Sequence, residues 1–236
     1  QSHMLYAGTS PAFALLERIG DTVLGAGIAW AFAYVLPSWE RGQIADLVRR
    51  VLRALDQHAA QSLGLARIDE IDTEPELTWR LARREAYDAL SALVQATARA
   101  LAEPRAVQPP LALLEQLQGH SYQLLGQLSA IKSMLLLRRN QLNLDAIAAP
   151  LAQAAADIDA RLTAPTAASP PGASATGAKS DPALRAVPED LPDPFEQDIS
   201  PWVMRRLALA ESLAASVRGN ADLINAQLAA PATPPT

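Results

Sequence analysis

An all-α protein is the expectation: one apolar, transmembrane-like helix followed by an antiparallel bundle of about five amphipathic helices. Three observations carry it. Apolar residues make up 50% of the 236, yet aromatics only 5%, and the apolar share is mostly Ala and Leu, which are strong helix formers. Alternating Val/Ile/Thr-rich runs, the mark of strands, are scarce. The stretch "ERIGDTVLGAGIAWAFAYVLPSWE", residues 17–40, starts charged and then runs apolar, and the segments after it carry apolar side chains at helical spacing.

Residues 1–4, "QSHM", look like the remnant of a cleaved purification tag, which sets His3 aside. Nothing after Met4 has the basic start and small-residue cleavage site of a signal peptide, and the chain reads as a piece of a longer protein. The first helix is expected over 11–36, inside a transmembrane-like segment 5–37, with Pro11 in its first turn and Pro37 ending it. Its uncharged run, Thr22 to Leu36, is 15 residues, short of the roughly 20 that a bilayer asks for. Arg18 and Asp21, three apart, can pair on one face. Gly25 and Gly27 permit close helix approach. Tyr34 and Trp39 sit where an aromatic belt would lie, and Arg41, Arg49, Arg50 and Arg53 place the C-terminal side in the cytoplasm.

The second helix, about 38–63, shows one apolar stripe through Ile44, Leu47, Val48, Val51, Leu52 and Leu55. An acidic connection, 64–74, precedes a third helix over about 75–102, whose stripe is expected through Leu77, Leu81, Leu90, Leu93, Val94 and Leu101. The fourth, about 110–139, has Leu114, Leu117, Ser121, Leu124, Leu128, Ile131 and Leu135 near a 3.5-residue spacing, a bundle seam. The fifth, about 143–162, carries Ile147, Leu151, Ile158 and Leu162, and completes a cytoplasmic bundle over 38–162. Residues 163–199 are rich in Pro, Ala and Ser and read as a disordered linker. A last helix over 200–229, capped by Ser200, packs back on the bundle through Trp202, Leu209, Leu213, Val217, Leu223, Ile224 and Leu228. Residues 230–236 are a tail.

A net charge of −5 gives nucleic acid a poor footprint. Of the 20 basic residues 18 are Arg, and there is no Cys, so disulfides, thiolate metal sites and thiol nucleophiles are excluded. No catalytic motif appears: no P-loop, nucleophile elbow or HExxH is present, and "GAG" at 25–27 lacks the strand and third glycine of a dinucleotide fingerprint. No enzyme, cofactor or metal is expected. His58 and His120 read as surface or boundary histidines. Asp69, Glu70, Asp72, Glu74 and Glu76 read as a solvated turn, since no calcium-loop spacing is matched. Arg80, Arg83 and Arg84, grouped with Tyr87, are candidates for contact with a carboxylate or lipid phosphate. The bland alternative is a solvated face with Arg80–Glu76 and Arg84–Asp88 pairs.

The stretch 17–40 resembles the last membrane span of the fusaric-acid-resistance-protein-like (FUSC) inner-membrane family, in Arg18, Asp21, Thr22, Gly25, Pro37, Trp39 and Glu40. "RREAYDALSALVQATARALAEP", 83–104, resembles the helix after that exit, and "QGHSYQLLGQLSAI", 118–131, is similar to the next helix of the YccS/YhfK-like branch. The resemblance implies the final span and C-terminal cytoplasmic domain of a bacterial inner-membrane exporter resembling aromatic-acid efflux proteins. The bundle would support assembly or regulation of the transport unit. Implied partners are the membrane-embedded rest of the same chain and a protein of the periplasmic-adaptor type. Arg18, Asp21, Thr22 and Gly25 become candidates for transport or span packing. The unpaired seams also suggest a homo-oligomer. The alternative is a soluble helical scaffold or interaction domain with residues 13–36 as a buried core or oligomer helix.

Overall fold

The computed structural model describes residues 11–35, 38–65, 74–103, 105, 108–164 and 198–229. Six α-helices and one short 3₁₀ turn make up this part, with no strand among the described residues. They are α1 (Pro11–Val35), α2 (Ser38–Leu63), α3 (Glu74–Ala100), α4 (Leu111–Leu137), α5 (Leu144–Thr163) and α6 (Ser200–Ala229), with the 3₁₀ turn at Arg139–Gln141. The tag-like residues 1–4, the acidic loop over 66–73, most of the expected linker and the tail lie outside the described residues.

The chain divides into two compact units, residues 1–40 and 41–236. In the first, α1 exposes the large apolar side chains Leu15, Leu16, Ile19, Val23, Leu24, Ile28, Trp30 and Phe32 over most of its circumference, while Arg18, Asp21, Thr22 and Gly25 share the remaining side. No helix among the described residues is long and apolar enough to cross a membrane. The charges at Arg18 and Asp21 interrupt the apolar run too close to its middle.

In the second unit one core is built wholly from residues between Ile44 and Ile224. Polar ties fix the directions of its helices. Arg50 with Glu85, and Trp79 with Ser62, set α3 antiparallel to α2. Thr97 accepting from Gln118, and Tyr87 beside Tyr122, set α4 antiparallel to α3. Gln127 with Arg206, and His120 with Asn220, set α6 antiparallel to α4. The Asn143 N–H before α5 donates to Ser200 at the start of α6, and the carbonyl of Ala164, just past α5, accepts from Arg218 late in α6, so those two run parallel.

The seam expected on α4 is buried at every position, Ser121 included, and so are Ile147, Leu151, Ile158 and Leu162 of α5. In α3 the stripe departs from expectation. Leu77, Leu81, Val94 and Leu101 are exposed, and the buried face is Ala86, Ala89, Leu90, Leu93, Ala96 and Ala100. Alanine burial brings the helix close to its neighbours, so the largest side chains are not the innermost. In α6, Leu209 and Leu223 are exposed, while Ala208, Ala210, Ala214 and Ala221 fill the core face.

The α6 start also differs. Asp198 accepts from the Ser200 N–H at 2.9 Å, and the Ser200 hydroxyl instead accepts from the Asn143 N–H at 2.8 Å. Ile199 is buried, and its N–H donates to the Gln141 carbonyl at 2.9 Å. The last two residues of the expected linker thus belong to the fold. Asn143 caps α5 by accepting from the Ala146 N–H.

Candidate functional site

The residues that sequence grouped as an anion site stand on one face of α3. Spacings of three and four bring them onto adjoining turns. Trp79, Arg80, Arg83, Arg84 and Tyr87 line an open groove of about 570 Å³. The Arg83 guanidinium lies 5.7 Å from the ring centres of both Trp79 and Tyr87, so it stacks between two aromatic faces. Tyr122 of α4 extends the surface, its ring 6.5 Å from that of Tyr87.

The three arginines are not equivalent. Arg80 pairs with Glu76 at 2.6 Å and Arg84 with Asp88 at 3.6 Å. These are the two pairs the spacing offered. Arg83 has no carboxylate within ion-pair reach among the described residues, and it alone keeps its charge uncompensated. The groove offers a flat, sticky cation beside aromatic surface. Its lining of arginines and aromatic rings suits contact with an anionic or aromatic group.

Beneath it lies a buried polar cluster. His58 is fully buried, which corrects its reading as a surface or boundary residue. Ser62 Oγ lies 3.4 Å from its ring nitrogens and Ser129 Oγ 3.5 Å from Nε2. The Trp79 indole N–H donates to Ser62 Oγ at 3.2 Å, tying the groove to this cluster. Burial, assisted by the Arg83 charge, pushes the His58 pKa down to about 4, so the ring is neutral at pH 7. Nearby Lys132, 3% exposed, donates to the Gly64 carbonyl at 3.1 Å and satisfies the C-terminal end of α2. Its pKa is lowered by burial and then by Arg139. His58 and Ser62 are sealed from solvent, so their proximity is structural. His120 is half-buried and bonded to Asn220 at 3.0 Å, a boundary position as expected.

On α1 the Thr22 hydroxyl donates to the Arg18 carbonyl at 2.7 Å. Arg18 and Asp21 are exposed, and no ion pair joins them among the described residues. A Cβ added at Gly25 would meet nothing within 4 Å. A shallow groove on another side of the helix is lined by Leu16, Ile19, Gly20, Val23, Leu24, Gly27, Ile28 and Ala31. Of its glycines the sequence singled out Gly27 and passed over Gly20, seven residues before it. Among the described residues no group of three His, Asp or Glu could hold a metal.

No family model matches the chain, and no solved structure matches it. The chain is similar to an uncharacterized protein of Haemophilus influenzae, 30% identical over 125 residues. That match takes in 52% of this chain but 17% of the relative, a much longer protein.

Proposed function

We propose that this chain is the C-terminal part of a bacterial inner-membrane exporter resembling the FUSC family. In this reading α1 is the last membrane helix, and α2–α6 form a cytoplasmic bundle that supports assembly or regulation of the transport unit. The observation that carries it is the contrast between the two units. The bundle fills its core without α1, and α1 exposes large apolar side chains over most of its circumference. So much exposed apolar surface on one helix belongs among other apolar surfaces. Its uncharged run is short for a lone span, which suits a helix shielded by other spans of the same unit, with Gly20 and Gly27 admitting a neighbour. Similarity to a fraction of a much longer bacterial protein agrees with a chain that is one part of a larger machine. Transport itself would need the remaining spans, since one helix encloses no path.

The Cys-free sequence gives a direct test. A single cysteine replacing Ala29 in α1 should be shielded from a water-soluble maleimide in isolated membranes, while one replacing Gln57 in α2 should react. Equal labelling of the two would overturn the membrane reading.

A second reading is favoured because no helix among the described residues is long and apolar enough to cross a membrane: α1 is an oligomer or partner helix, and the bundle is an interaction scaffold. Equal labelling at Ala29 and Gln57, with α1 protected only in a protein complex, would select it.

A further inference from the structure

The groove on α3 is arranged around the edge of one guanidinium. Trp79 stands one turn before Arg83 and Tyr87 one turn after, each with its ring centre 5.7 Å from the Arg83 guanidinium carbon. The Trp79 ring is itself fixed, because its indole N–H donates to Ser62 Oγ at 3.2 Å. A guanidinium flanked by rings in this way presents its edge, where the N–H donors lie in one plane. The rings already lie against a cation, so the groove offers more to a hydrogen-bond acceptor than to a stacking ligand. The acceptor that such an edge fits is an oxyanion with two or more oxygens.

Two more arginines reach the same place. Arg80, Arg83 and Arg84 fall within about 6 Å of helix axis and about 100° of arc, and all three line the one groove. Their carboxylate neighbours do not line it. Glu76, which pairs with Arg80, has a side chain only 10% exposed. Asp88 stands 3.6 Å from Arg84, beyond hydrogen-bond distance, and both are exposed. Three cations against these two carboxylates leave one positive charge in excess, and Arg83 supplies it. A lone carboxylate would be served by Arg83 alone. A phosphate has oxygens to spare for the neighbouring arginines as well.

We propose that the groove of Trp79, Arg80, Arg83, Arg84 and Tyr87 binds a phosphate group, with Arg83 gripping it edge-on and Arg80 and Arg84 beside it. Such a group is offered by an anionic lipid headgroup or by free phosphate. The site belongs to the bundle alone and does not depend on where α1 resides.

The test uses the full chain in nonionic detergent micelles, with Trp30, Trp39 and Trp202 replaced by Phe so that fluorescence reports on Trp79, the remaining one of the four tryptophans. One probe is sodium phosphate, exchanged for chloride at constant ionic strength. The other is phosphatidylglycerol, added to the micelles in place of phosphatidylcholine. A saturable change in Trp79 emission is expected with at least one of them. A response to inorganic phosphate makes free phosphate a ligand, and a response to phosphatidylglycerol alone makes it a lipid headgroup. Arg83→Gln should weaken the response at least about fivefold, and Arg84→Gln about two- to fivefold. Asp88→Asn, which releases Arg84, should strengthen it, a direction that mere structural damage would not give. Arg53→Gln, an exposed arginine of α2 outside the groove, should leave it unchanged. The helical circular dichroism should be the same throughout. Silence with both probes would overturn the proposal. So would sodium acetate acting at the same concentration as phosphate. Loss of the response in Arg53→Gln to the extent seen in Arg83→Gln would mark a diffuse charge effect and overturn it too.

Discussion

The Arg50 guanidinium of α2 grips the Glu85 carboxylate of α3 with two hydrogen bonds, Nε to Oε1 at 2.7 Å and Nη2 to Oε2 at 3.0 Å. This fork-to-fork contact fixes the register of the two helices. The hydrogen bond from Arg50 holds the Glu85 pKa below the usual carboxylate range. Both side chains are 41% exposed, so water screens the pair. Arg50→Gln and Glu85→Gln should each cost about 0.5–1 kcal/mol, with most of it recovered as coupling in a double-mutant cycle. A lowered carboxylate pKa contributes stability above the unfolded value, lost as pH falls through the folded one. Urea titrations should therefore show the coupling at pH 7 and its disappearance in strong acid or high salt.

His58 acts in a neighbouring pH window. Its folded pKa, about 4, lies below the ordinary 6.5. Between these values the unfolded chain binds more protons, so stability falls as pH is lowered from 6.5 to 4. The loss attributable to His58 should be about 2–3 kcal/mol by pH 4. It should appear as the difference in unfolding free energy between the wild type and His58→Leu, tracked against pH.

Asp56 of α2 works in the opposite sense. Burial first, and then the charge and hydrogen bond of Asp159 on α5, raise its pKa. The folded state therefore holds the proton more tightly and loses stability as pH rises through the raised value. Asp56→Asn should stabilise the bundle by about 0.5 kcal/mol at pH 7, the scale of a like-charge contact. The gain should vanish in acid, and thermal melts at the two pH values would measure it.

The core of the bundle rests on the α4 seam. Leu128 is fully buried there, whereas Leu137 at the end of the same helix is 83% exposed. Leu128→Ala should cost about 2–5 kcal/mol, and Leu137→Ala within about 0.5 kcal/mol of nothing, both measured by chemical denaturation.

That seam was readable from sequence because α4 buries large leucines, and large leucines mark a stripe. The α3 and α6 faces were readable only in part: Leu90, Leu93, Leu213, Val217 and Ile224 are buried as expected, but alanines fill much of both faces and leucines such as Leu81 and Leu209 stay outside. Alanine is a helix former that no pattern assigns to inside or outside. The Arg80–Glu76 and Arg84–Asp88 pairs followed from four-residue spacing. Arg83, four residues from both Trp79 and Tyr87, carried the same local signal for its stacking. Tyr122 joins the surface only through tertiary packing. His58 reads as polar in sequence, and only the neighbouring hydroxyls of Ser62 and Ser129 make its burial tolerable.

The central claim is that α1 holds this chain in a membrane while α2–α6 fold without it. Alkaline carbonate extraction after expression, run beside a version beginning at Ser38, tests it most directly. The expected result is that the full chain stays with the membrane and the shorter one is soluble with the same helical signal. If both are extracted and equally folded, α1 is a helix for protein contact and the membrane reading is contradicted.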